Sequence, residues 1–337
     1  MITFISVYVP NMRYWIPYKW SKSRITPLIT KILPKWVPLW DIFGWWWAVS
    51  TACLDTWFYN EINYNELDPD IYNLFKALCN GELNIKELKK RFITREEFLE
   101  VKGKKHKTPI DNAILLCYSF WNNMSGYMYW KDIELRKQLL HKIHFKDIKD
   151  KQEFDDILQQ MTESRIFKLR DKTEYRIYME RDYNDYVNDE YPRTKLRYKI
   201  ISRKTLDWIE LWNYKDDFDA QNYQLQSLQR LERLQSLQRL ERLELHNKDY
   251  RELDIPEWDI IYCDPPYENS DQYKIWMFDS VAFRERAEEK SKTNPIFISS
   301  YIGRDWRKEI DTGKWNIMSK KDWKHTDHKE KIFYKNI

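Results

Sequence analysis

The stretch Asp41-Ile-Phe-Gly-Trp-Trp-Trp-Ala-Val-Ser50 decides how the chain begins to fold. It overlaps the apolar run 38–43, which is typical of a buried strand, and it leads into residues 48–54, whose pattern predicts a helix. A turn between a strand and a helix ordinarily carries small residues, because glycine reaches its backbone conformations without strain. Three tryptophans in this turn are therefore the first anomaly of the sequence.

The three tryptophans belong to a pattern that runs through the whole chain. The 337 residues include 17 tryptophans and 6 glycines. In ordinary proteins glycine makes up about 7% of the residues and tryptophan is among the rarest. Two interpretations remain open: many tryptophans occupy glycine positions, or the protein has an unusually aromatic core.

Helix and strand patterns alternate on both sides of the turn. Apolar spacing predicts a helix at 27–33, a second strand at 56–60, and a helix at 70–78 that ends at Asn80-Gly81. Strands are predicted again at 259–263 and 295–299, and antiparallel strands within 315–336 close the series. This alternation predicts an α/β fold with a parallel sheet that is built from both ends of the chain.

The middle of the chain has a different composition. From about residue 86 to 220 it is polar and rich in Lys, Arg, Glu and Tyr, with helical spacing around 112–120 and 131–143. We therefore expect a mostly helical domain at 86–244, inserted between the two parts of the sheet domain at 1–85 and 245–337.

A tandem repeat lies at the end of this insertion. Residues 226–234, Gln-Ser-Leu-Gln-Arg-Leu-Glu-Arg-Leu, recur letter for letter at 235–243, so that leucine stands at every third position from Leu225 to Leu243. Three residues turn a helix by about 300°, so the stripe drifts around the helix and disfavours a coiled coil. Two interpretations remain: a duplication tolerated in a solvated helix or spacer, or a surface that binds a partner.

Charge and cysteine usage exclude several classes. The net charge of +4 permits contact with a polyanion without implying it. The four cysteines form no CxxC pair and the histidines have no metal-ligand spacing, so we expect no metal, no disulfide framework and a cytoplasmic location. No signal peptide is recognised, and the longest apolar run, 42–54, is shorter than the roughly 20 residues that span a bilayer, so we expect no membrane contact.

The most specific signal in the sequence is Asp264-Pro265-Pro266-Tyr267, directly after the strand predicted at 259–263. Two prolines at the end of a strand stiffen the backbone and leave carbonyl oxygens free to accept hydrogen bonds. Ligands of open α/β sheets bind at that edge. A carboxylate, a carbonyl and an aromatic face are what an exocyclic amine of a nucleobase needs if it is to be held for methylation.

Five segments, in chain order, resemble the motifs of the Dam-like DNA adenine-N6 methyltransferases, particularly those carried by phages. The resemblance runs over most of the chain, and the segments are Tyr18-Lys-Trp-Ser-Lys22, Asp41-Ile-Phe-Gly-Trp-Trp-Trp47, Asn60-Glu61-Ile-Asn63, Ser119-Phe-Trp-Asn-Asn-Met-Ser-Gly-Tyr-Met-Tyr-Trp-Lys131 and Asp264-Pro-Pro-Tyr267. It implies a Rossmann-like sheet that binds S-adenosylmethionine, with the insertion as target-recognition domain.

The departures from the family pattern are systematic. The family has glycine where this chain has Trp20, Trp45, Trp46, Trp47, Trp121 and Trp130, and we extend the expectation to Trp15, Trp36 and Trp276. A gene that uses UGA as a glycine codon, translated with a table that reads UGA as tryptophan, would give this pattern. We hypothesise that these positions are glycine in the cell, and UGG codons at 45–47 would refute the idea.

The resemblance also assigns roles to residues. Catalysis is expected from Asp264, Pro265, Pro266 and Tyr267. The expected cofactor contacts are Tyr18, Lys22, Asp41, Phe43, Gly44, Glu61 and Asp264, with Glu61 on the ribose hydroxyls. For DNA, Asn122, Asn123 and Tyr129 carry polar groups able to read or replace a base, and Arg193, Lys195 and Arg197 lie in a basic and aromatic stretch that suits phosphate contacts.

The sequence therefore predicts a monomeric, site-specific DNA methyltransferase that transfers a methyl group from S-adenosylmethionine to N6 of a flipped-out adenine in double-stranded DNA. Methylation of cytosine N4 is a related alternative, although serine commonly replaces Asp264 there. If the tryptophans are genuine, a catalytically inactive DNA- or adenine-binding protein is the alternative. A third possibility is an interaction scaffold built on the leucine repeat.

Overall fold

The computed structural model of the chain describes residue 22 and residues 25–44, 47–163, 166–168, 174–180, 183–188, 197–202, 208–210, 223–236, 240–266, 278–300, 308–315 and 329–335. The chain divides into two compact units. The sheet unit comprises Met1–Leu83, Lys107–Asn112 and Arg230–Ile337, and the inserted unit comprises Asn84–His106 and Ala113–Gln229.

The described residues form eleven strands and eleven α-helices. The strands are β1 Leu39–Asp41, β2 Ile62–Asn65, β3 Ile166–Lys168, β4 Glu174–Glu180, β5 Arg197–Ser202, β6 Trp208–Glu210, β7 Leu243–His246, β8 Ile260–Cys263, β9 Ile296–Ser300, β10 Lys308–Trp315 and β11 Lys329–Lys335. The helices are α1 Thr26–Ile32, α2 Ala48–Leu54, α3 Pro69–Cys79, α4 Ile85–Lys90, α5 Arg95–Gly103, α6 Pro109–Cys117, α7 Lys131–His144, α8 Lys151–Glu163, α9 Tyr183–Asn188, α10 Tyr223–Gln235 and α11 Ser280–Lys290.

The sheet unit contains a seven-stranded, mostly parallel sheet in the order β10-β11-β9-β8-β1-β2-β7. Strands β7, β2, β1, β8 and β9 are parallel. Strand β11 runs antiparallel to both β9 and β10. The predicted α/β fold with a parallel sheet is confirmed, and the architecture is compatible with a Rossmann-like fold. Antiparallel strands close the sheet as predicted, but only β11 lies within the predicted range 315–336, because β10 ends at Trp315.

Helices cover both faces of this sheet. Leu39 of β1 packs in one core cluster with residues of α1 and α2, and Trp40, which points the opposite way, packs in another with Phe283 and Ala287 of α11. Strands β1, β2 and β8 are buried at every position. Burial on both faces explains why β8, Ile-Ile-Tyr-Cys, reads as a continuous apolar run rather than an alternating one.

The second strand was predicted in the wrong place. Residues 56–60 form bends, and β2 begins at Ile62. The prediction relied on the aromatic run 57–59, whereas the true strand includes Asn63 and Asn65, which have low strand propensity. Both asparagines are buried, and the Asn65 amide donates to Ile42 O at 3.1 Å and Lys248 O at 3.0 Å, so tertiary contacts outweigh local preference here.

The described residues of the inserted unit contain more helix than strand, as the sequence predicted. The unit also contains a four-stranded antiparallel sheet in the order β3-β4-β5-β6. The strand β4, Glu-Tyr-Arg-Ile-Tyr-Met-Glu, alternates charged residues with larger apolar and aromatic ones only in part, so its period of two is hidden among charges.

The leucine repeat is neither a solvated spacer nor an exposed stripe in its first copy. Leu228, Leu231 and Leu234 of α10 are buried within the chain, so they are not available to a partner. The second copy leaves the helix and ends at Leu243, the first residue of β7.

Candidate active site

The site lies where β1 and β8 end side by side. After β1 the chain continues to β2 on one side, and after β7 it returns to β8 on the other side of β1. In an open α/β sheet, this change of direction leaves a crevice outside the carboxyl ends of the two strands, and ligands bind there. Asp41 is the last residue of β1, paired in register with Tyr262 of β8, and Asp264 follows the end of β8.

Two predicted site residues, 242 positions apart in the chain, meet at this edge. The Lys22 Nζ lies 2.9 Å from Asp264 Oδ1, and the two side chains are 6% and 10% exposed. A buried carboxylate is stable in its ionised form only when it is paired, and removing one partner of such a pair costs about 3–5 kcal/mol. Lys22 therefore holds Asp264 as an oriented carboxylate at the start of the Asp-Pro-Pro-Tyr segment.

Asp41 is a second carboxyl group in the same crevice, with a different environment. It is buried, and the Ser50 hydroxyl of α2 donates a hydrogen bond to its Oδ2 at 2.7 Å. The pKa of Asp41 is raised to about 7, because burial outweighs the Ser50 hydrogen bond, which lowers the pKa, and the negative charge of Asp264 adds to the increase. Asp41 thus changes its charge near neutral pH, beside a carboxylate that Lys22 neutralises.

Ser50 was not predicted as a site residue from the sequence. The available signal was the run of small and hydroxyl residues 48–51 in a helix that directly follows β1, which favours close packing of that helix against the strand end. The sequence pattern does not distinguish the hydroxyl of Ser50 from that of Thr51. In the structure the Ser50 hydroxyl donates to Asp41, whereas the Thr51 hydroxyl donates to the Trp47 carbonyl one helical turn earlier, at 2.5 Å.

Gly44 begins the turn after β1, and its lack of a side chain is required. Its N–H donates to Asn65 O at 2.9 Å, and a Cβ built on it would lie 2.0 Å from the Tyr64 ring. Any other residue would have to displace the buried Tyr64 ring or the turn itself. The predicted cofactor residue Gly44 is therefore fixed by packing as well as by the motif.

Trp47 closes the same turn in a conformation that suits glycine. Its φ of 61° is left-handed, which costs a residue with a side chain roughly 1–2 kcal/mol. Its indole is buried and stacks on Phe75 of α3 with ring centroids 4.6 Å apart. Trp45 and Trp46 lie outside the described residues.

Left-handed tryptophans recur beyond this turn. Six non-glycine residues with φ between 54° and 76° occur in the described part of the chain, and Trp36, Trp47 and Trp258 are three of them. Trp36 and Trp258 are also 66% and 70% exposed, so burial does not account for them. Trp258 is an addition to the sequence-based set, whereas Trp130 has φ −72° and needs no glycine.

Trp40 is a tryptophan whose backbone and side chain are both accommodated without strain. It lies in the extended strand β1, its Nε1 donates to Asp259 Oδ2 at 2.9 Å, and its ring stacks on His246 at 5.1 Å. Trp36, Trp47 and Trp258 differ from Trp40 in their backbone conformation, which is left-handed. The contacts of their indole rings do not change this difference.

Phe43, predicted to border the cofactor, belongs to a half-buried aromatic cluster. Its ring lies 5.4 Å from Tyr250, 5.8 Å from Phe278 and 5.4 Å from Phe283. Tyr250 and Phe278 were not anticipated, because they are distant in sequence and belong to no motif. The cluster offers a flat apolar surface beside the end of β1.

Glu61 was assigned to the wrong edge of the sheet. It precedes Ile62, which pairs with Leu39 at the amino end of β1, and its Oε1 accepts a hydrogen bond from Asn63 Nδ2. The acid that follows the carboxyl end of β2 is Glu66. Glu66 is buried, its Oε1 accepts from the Asp68 N–H at 2.9 Å, and burial raises its pKa to about 8. Glu61 was chosen because the second strand was predicted at 56–60, which places Glu61 after the strand instead of before it.

The predicted DNA residues of the segment 119–131 divide into two groups. The Asn122 amide is buried and donates to Leu116 O and Ser227 Oγ, both at 2.9 Å. Tyr129 is buried with its ring parallel to Phe92. The structure gives both side chains a packing role, whereas Asn123 is exposed and its Oδ1 accepts from the Ser125 N–H at 2.9 Å.

Seven predicted site residues remain, and four of them lie outside the described part of the chain. These four are Tyr18, Arg193, Lys195 and Tyr267, whereas Arg197 begins β5 in register with Glu180 of β4. Pro265 and Pro266 follow Asp264 as predicted, the first buried and the second half-buried.

Within the described residues, no helix is both long and apolar enough to cross a bilayer, and no three metal-ligating side chains gather into a group. Comparison of the chain with protein-family models and with curated proteins finds no match.

Proposed function

We propose that the chain is a DNA methyltransferase that modifies N6 of adenine, with the crevice between β1 and β8 as its active site. The observation that carries the proposal is the ion pair between Lys22 and Asp264. Two motif-bearing segments from opposite ends of the chain contribute to one buried pair at the edge where α/β sheets bind ligands.

The side chains of the crevice fit S-adenosylmethionine. That cofactor would supply a methyl group on a positively charged sulfonium and carries a second positive charge on its ammonium group. Asp41, Asp264 and Glu66 place three carboxyl groups after the ends of three adjacent strands, β1, β8 and β2. Phe43 adds an aromatic face, and Gly44 allows a close approach of the backbone.

Asp264 would bind the substrate amine. A carboxylate offers about four acceptor positions, and the ion pair with Lys22 uses Oδ1, so Asp264 can also accept an N–H of the adenine amine. The Pro265 carbonyl would accept the second N–H. Holding both N–H groups out of the ring plane directs the nitrogen lone pair away from conjugation, and no covalent link to the protein is needed.

Glu66 would take the ribose role that the sequence assigned to Glu61. It follows the carboxyl end of β2, where acidic side chains of dinucleotide folds hydrogen-bond ribose hydroxyls. The raised pKa of Glu66 is compatible with this role, since a carboxyl group can donate or accept a hydrogen bond with a hydroxyl.

The tryptophans decide between this activity and its alternative. If they are genuine, the protein is an inactive DNA- or adenine-binding protein, because a turn of tryptophans does not allow the close backbone approach to the cofactor that a glycine turn allows. The left-handed backbones of Trp36, Trp47 and Trp258 favour glycine at these positions. We therefore assign methyl transfer to the chain that carries glycine in the turn.

Calorimetry with S-adenosylmethionine tests the proposal. The full chain is compared with a variant that carries glycine at 20, 45, 46 and 47, and with a control in which the exposed Trp57 is replaced by glycine. We expect binding only when the turn is restored. Absence of binding to the restored chain would refute the proposed cofactor.

The reaction itself is tested on the restored chain with double-stranded DNA. Modified bases are detected by mass spectrometry, and Asp264→Asn is compared with Asp254→Asn, which alters an exposed carboxylate of the same unit. We expect N6-methyladenine with the Asp254 variant and a loss of at least about 100-fold in rate with the Asp264 variant. Formation of N4-methylcytosine would support the cytosine alternative.

A further inference from the structure

A buried hydrogen bond between Ser50 and Asp41 lies in the crevice, and the proposed reaction does not use it directly. The Ser50 hydroxyl is fully buried and donates to Asp41 Oδ2 at 2.7 Å. The two residues lie on different elements, the helix α2 and the strand β1, so the bond fixes how the carboxyl group is turned at the strand end.

We infer that Ser50 is a positioning residue of the cofactor site, which holds the Asp41 carboxylate as the acceptor for the positively charged methionine end of S-adenosylmethionine. The inference rests on the proposed function. It goes beyond that function because Ser50 would act only through Asp41 and would touch neither the cofactor nor the base.

The electrostatic surroundings explain why Asp41 needs such a partner. Among the described residues, the ionisable groups that interact with it are Cys53 of α2, Tyr64 of β2, Glu66 after β2, Cys263 of β8 and Asp264 after β8. None of these five is a cation, and the positive charge of Lys22 is directed at Asp264. A bound cation would therefore stabilise the ionised form of Asp41, and the Ser50 hydrogen bond favours the same form before the cation binds.

The direction of the pH dependence follows from these contacts. Cation binding needs ionised Asp41, so affinity falls as the pH drops below the pKa of Asp41, which burial raises to about 7. A hydrogen bond donated to a carboxylate lowers its pKa, so removal of the Ser50 hydroxyl moves the midpoint of the affinity profile to higher pH.

Thr51 provides a matched control. It is the next residue of α2, it is equally buried, and its hydroxyl donates to the Trp47 carbonyl of its own helix instead of to Asp41. In the chain with glycine at 20, 45, 46 and 47, we expect Ser50→Ala to weaken S-adenosylmethionine binding about tenfold at pH 7 and to raise the midpoint of its pH profile. Thr51→Val should leave the midpoint unchanged.

A double-mutant cycle separates positioning from general damage. In an Asp41→Asn background the side chain cannot ionise, so Ser50→Ala should cost little further affinity there. Carbon-13 NMR of the Asp41 carboxyl in the free protein gives an independent reading, in which Ser50→Ala should raise the titration midpoint and Thr51→Val should not.

The outcomes distinguish the two proposals. If the restored chain binds no S-adenosylmethionine, the proposed function fails and the role of Ser50 in cofactor binding fails with it. If the chain binds the cofactor but Ser50→Ala and Thr51→Val give the same affinity and the same pH profile, the methyltransferase proposal stands and the role of Ser50 is overturned. An equal loss from Ser50→Ala with and without Asp41 would also overturn it.

Discussion

The two copies of the nine-residue repeat have one sequence and two structures. Residues 226–234 lie wholly within the helix α10. Residues 235–243 begin with the last residue of that helix, include the 3-10 turn Leu240–Arg242 and end with the first residue of β7. Identical local preferences therefore give a helix in one place and a strand entry in the other.

The two copies differ in conformation because their side chains have different tertiary contacts. Ser227 is buried and accepts a hydrogen bond from Asn122, whereas Ser236 is exposed and donates to the carbonyl of Arg233. Leu231 is fully buried, whereas Leu240 is half-buried against the core of the sheet unit. The second copy is followed by residues 244–246, which pair with β2, so the contacts of the following strand decide its conformation.

This strand entry also supports the proposed site. Directly after β7, Lys248 N–H donates to Asn65 Oδ1 at 3.1 Å and Asn247 Nδ2 donates to Glu66 O at 2.6 Å. The second copy thus leads through β7 into the loop at residues 247–248, which holds the end of β2 in place. The residue that binds the backbone carbonyl of Glu66 is Asn247, four positions after the end of the repeat.

Deletion of one copy is expected to have the largest effect. Removal of 226–234 or of 235–243 gives the same chain, in which nine residues must supply either the buried leucines of α10 or the entry to β7. Loss of Leu228, Leu231 and Leu234 from the core costs about 2–5 kcal/mol each, which together rivals the whole stability of a typical domain, about 5–15 kcal/mol.

We expect the deletion variant to lose cooperative unfolding, as measured by circular dichroism in urea. The full chain with Glu241→Ala, a change at a solvent-accessible position of the second copy, serves as the control. An unchanged midpoint and slope for the deletion variant would restore the interpretation of the repeat as a tolerated spacer.

The same contrast explains which parts of the fold the sequence could predict. The helix at 48–54 was predicted with the bounds it has in the structure, because its pattern and its surroundings agree. Strand β2 was missed, because Asn63 and Asn65 gain buried hydrogen bonds that no local pattern reveals. The inserted antiparallel sheet was missed for the related reason that its alternation is incomplete.

The candidate site was predictable only where a motif marked it. Lys22, Asp41 and Asp264 came from motif resemblance, and the structure brings Lys22 and Asp264 into contact. Ser50, Glu66 and Tyr250 depend on which strand ends lie side by side, and the sequence does not contain that information in any short segment. The left-handed backbone of Trp258 likewise became visible only through its φ of 76°.

Single leucine substitutions sharpen the comparison at the same position of each copy. Leu231→Ala should lower the free energy of unfolding by about 2–5 kcal/mol, because it leaves a cavity in a fully buried site. Leu240→Ala should lower the free energy of unfolding by about 1 kcal/mol, because Leu240 is only half-buried and water can fill the space that its side chain leaves. Urea unfolding of both variants measures the difference, and equal losses would mean that the copies are equivalent in the folded protein.

The serine pair gives the smallest expected effect and the most specific one. Ser227→Ala removes the acceptor of one Asn122 N–H in a buried site, and leaving such a donor unsatisfied costs about 1–3 kcal/mol. Ser236→Ala removes an exposed hydroxyl that water can replace, so its effect should stay within about 0.5 kcal/mol. Both substitutions change the same atom in the same local sequence, but only Ser227 lies within α10, so Ser227→Ala also gains a few tenths of a kcal/mol from the higher helix propensity of alanine. A loss from Ser227→Ala that exceeds the loss from Ser236→Ala therefore reports the tertiary contact, and equal effects would show that Asn122 finds another acceptor.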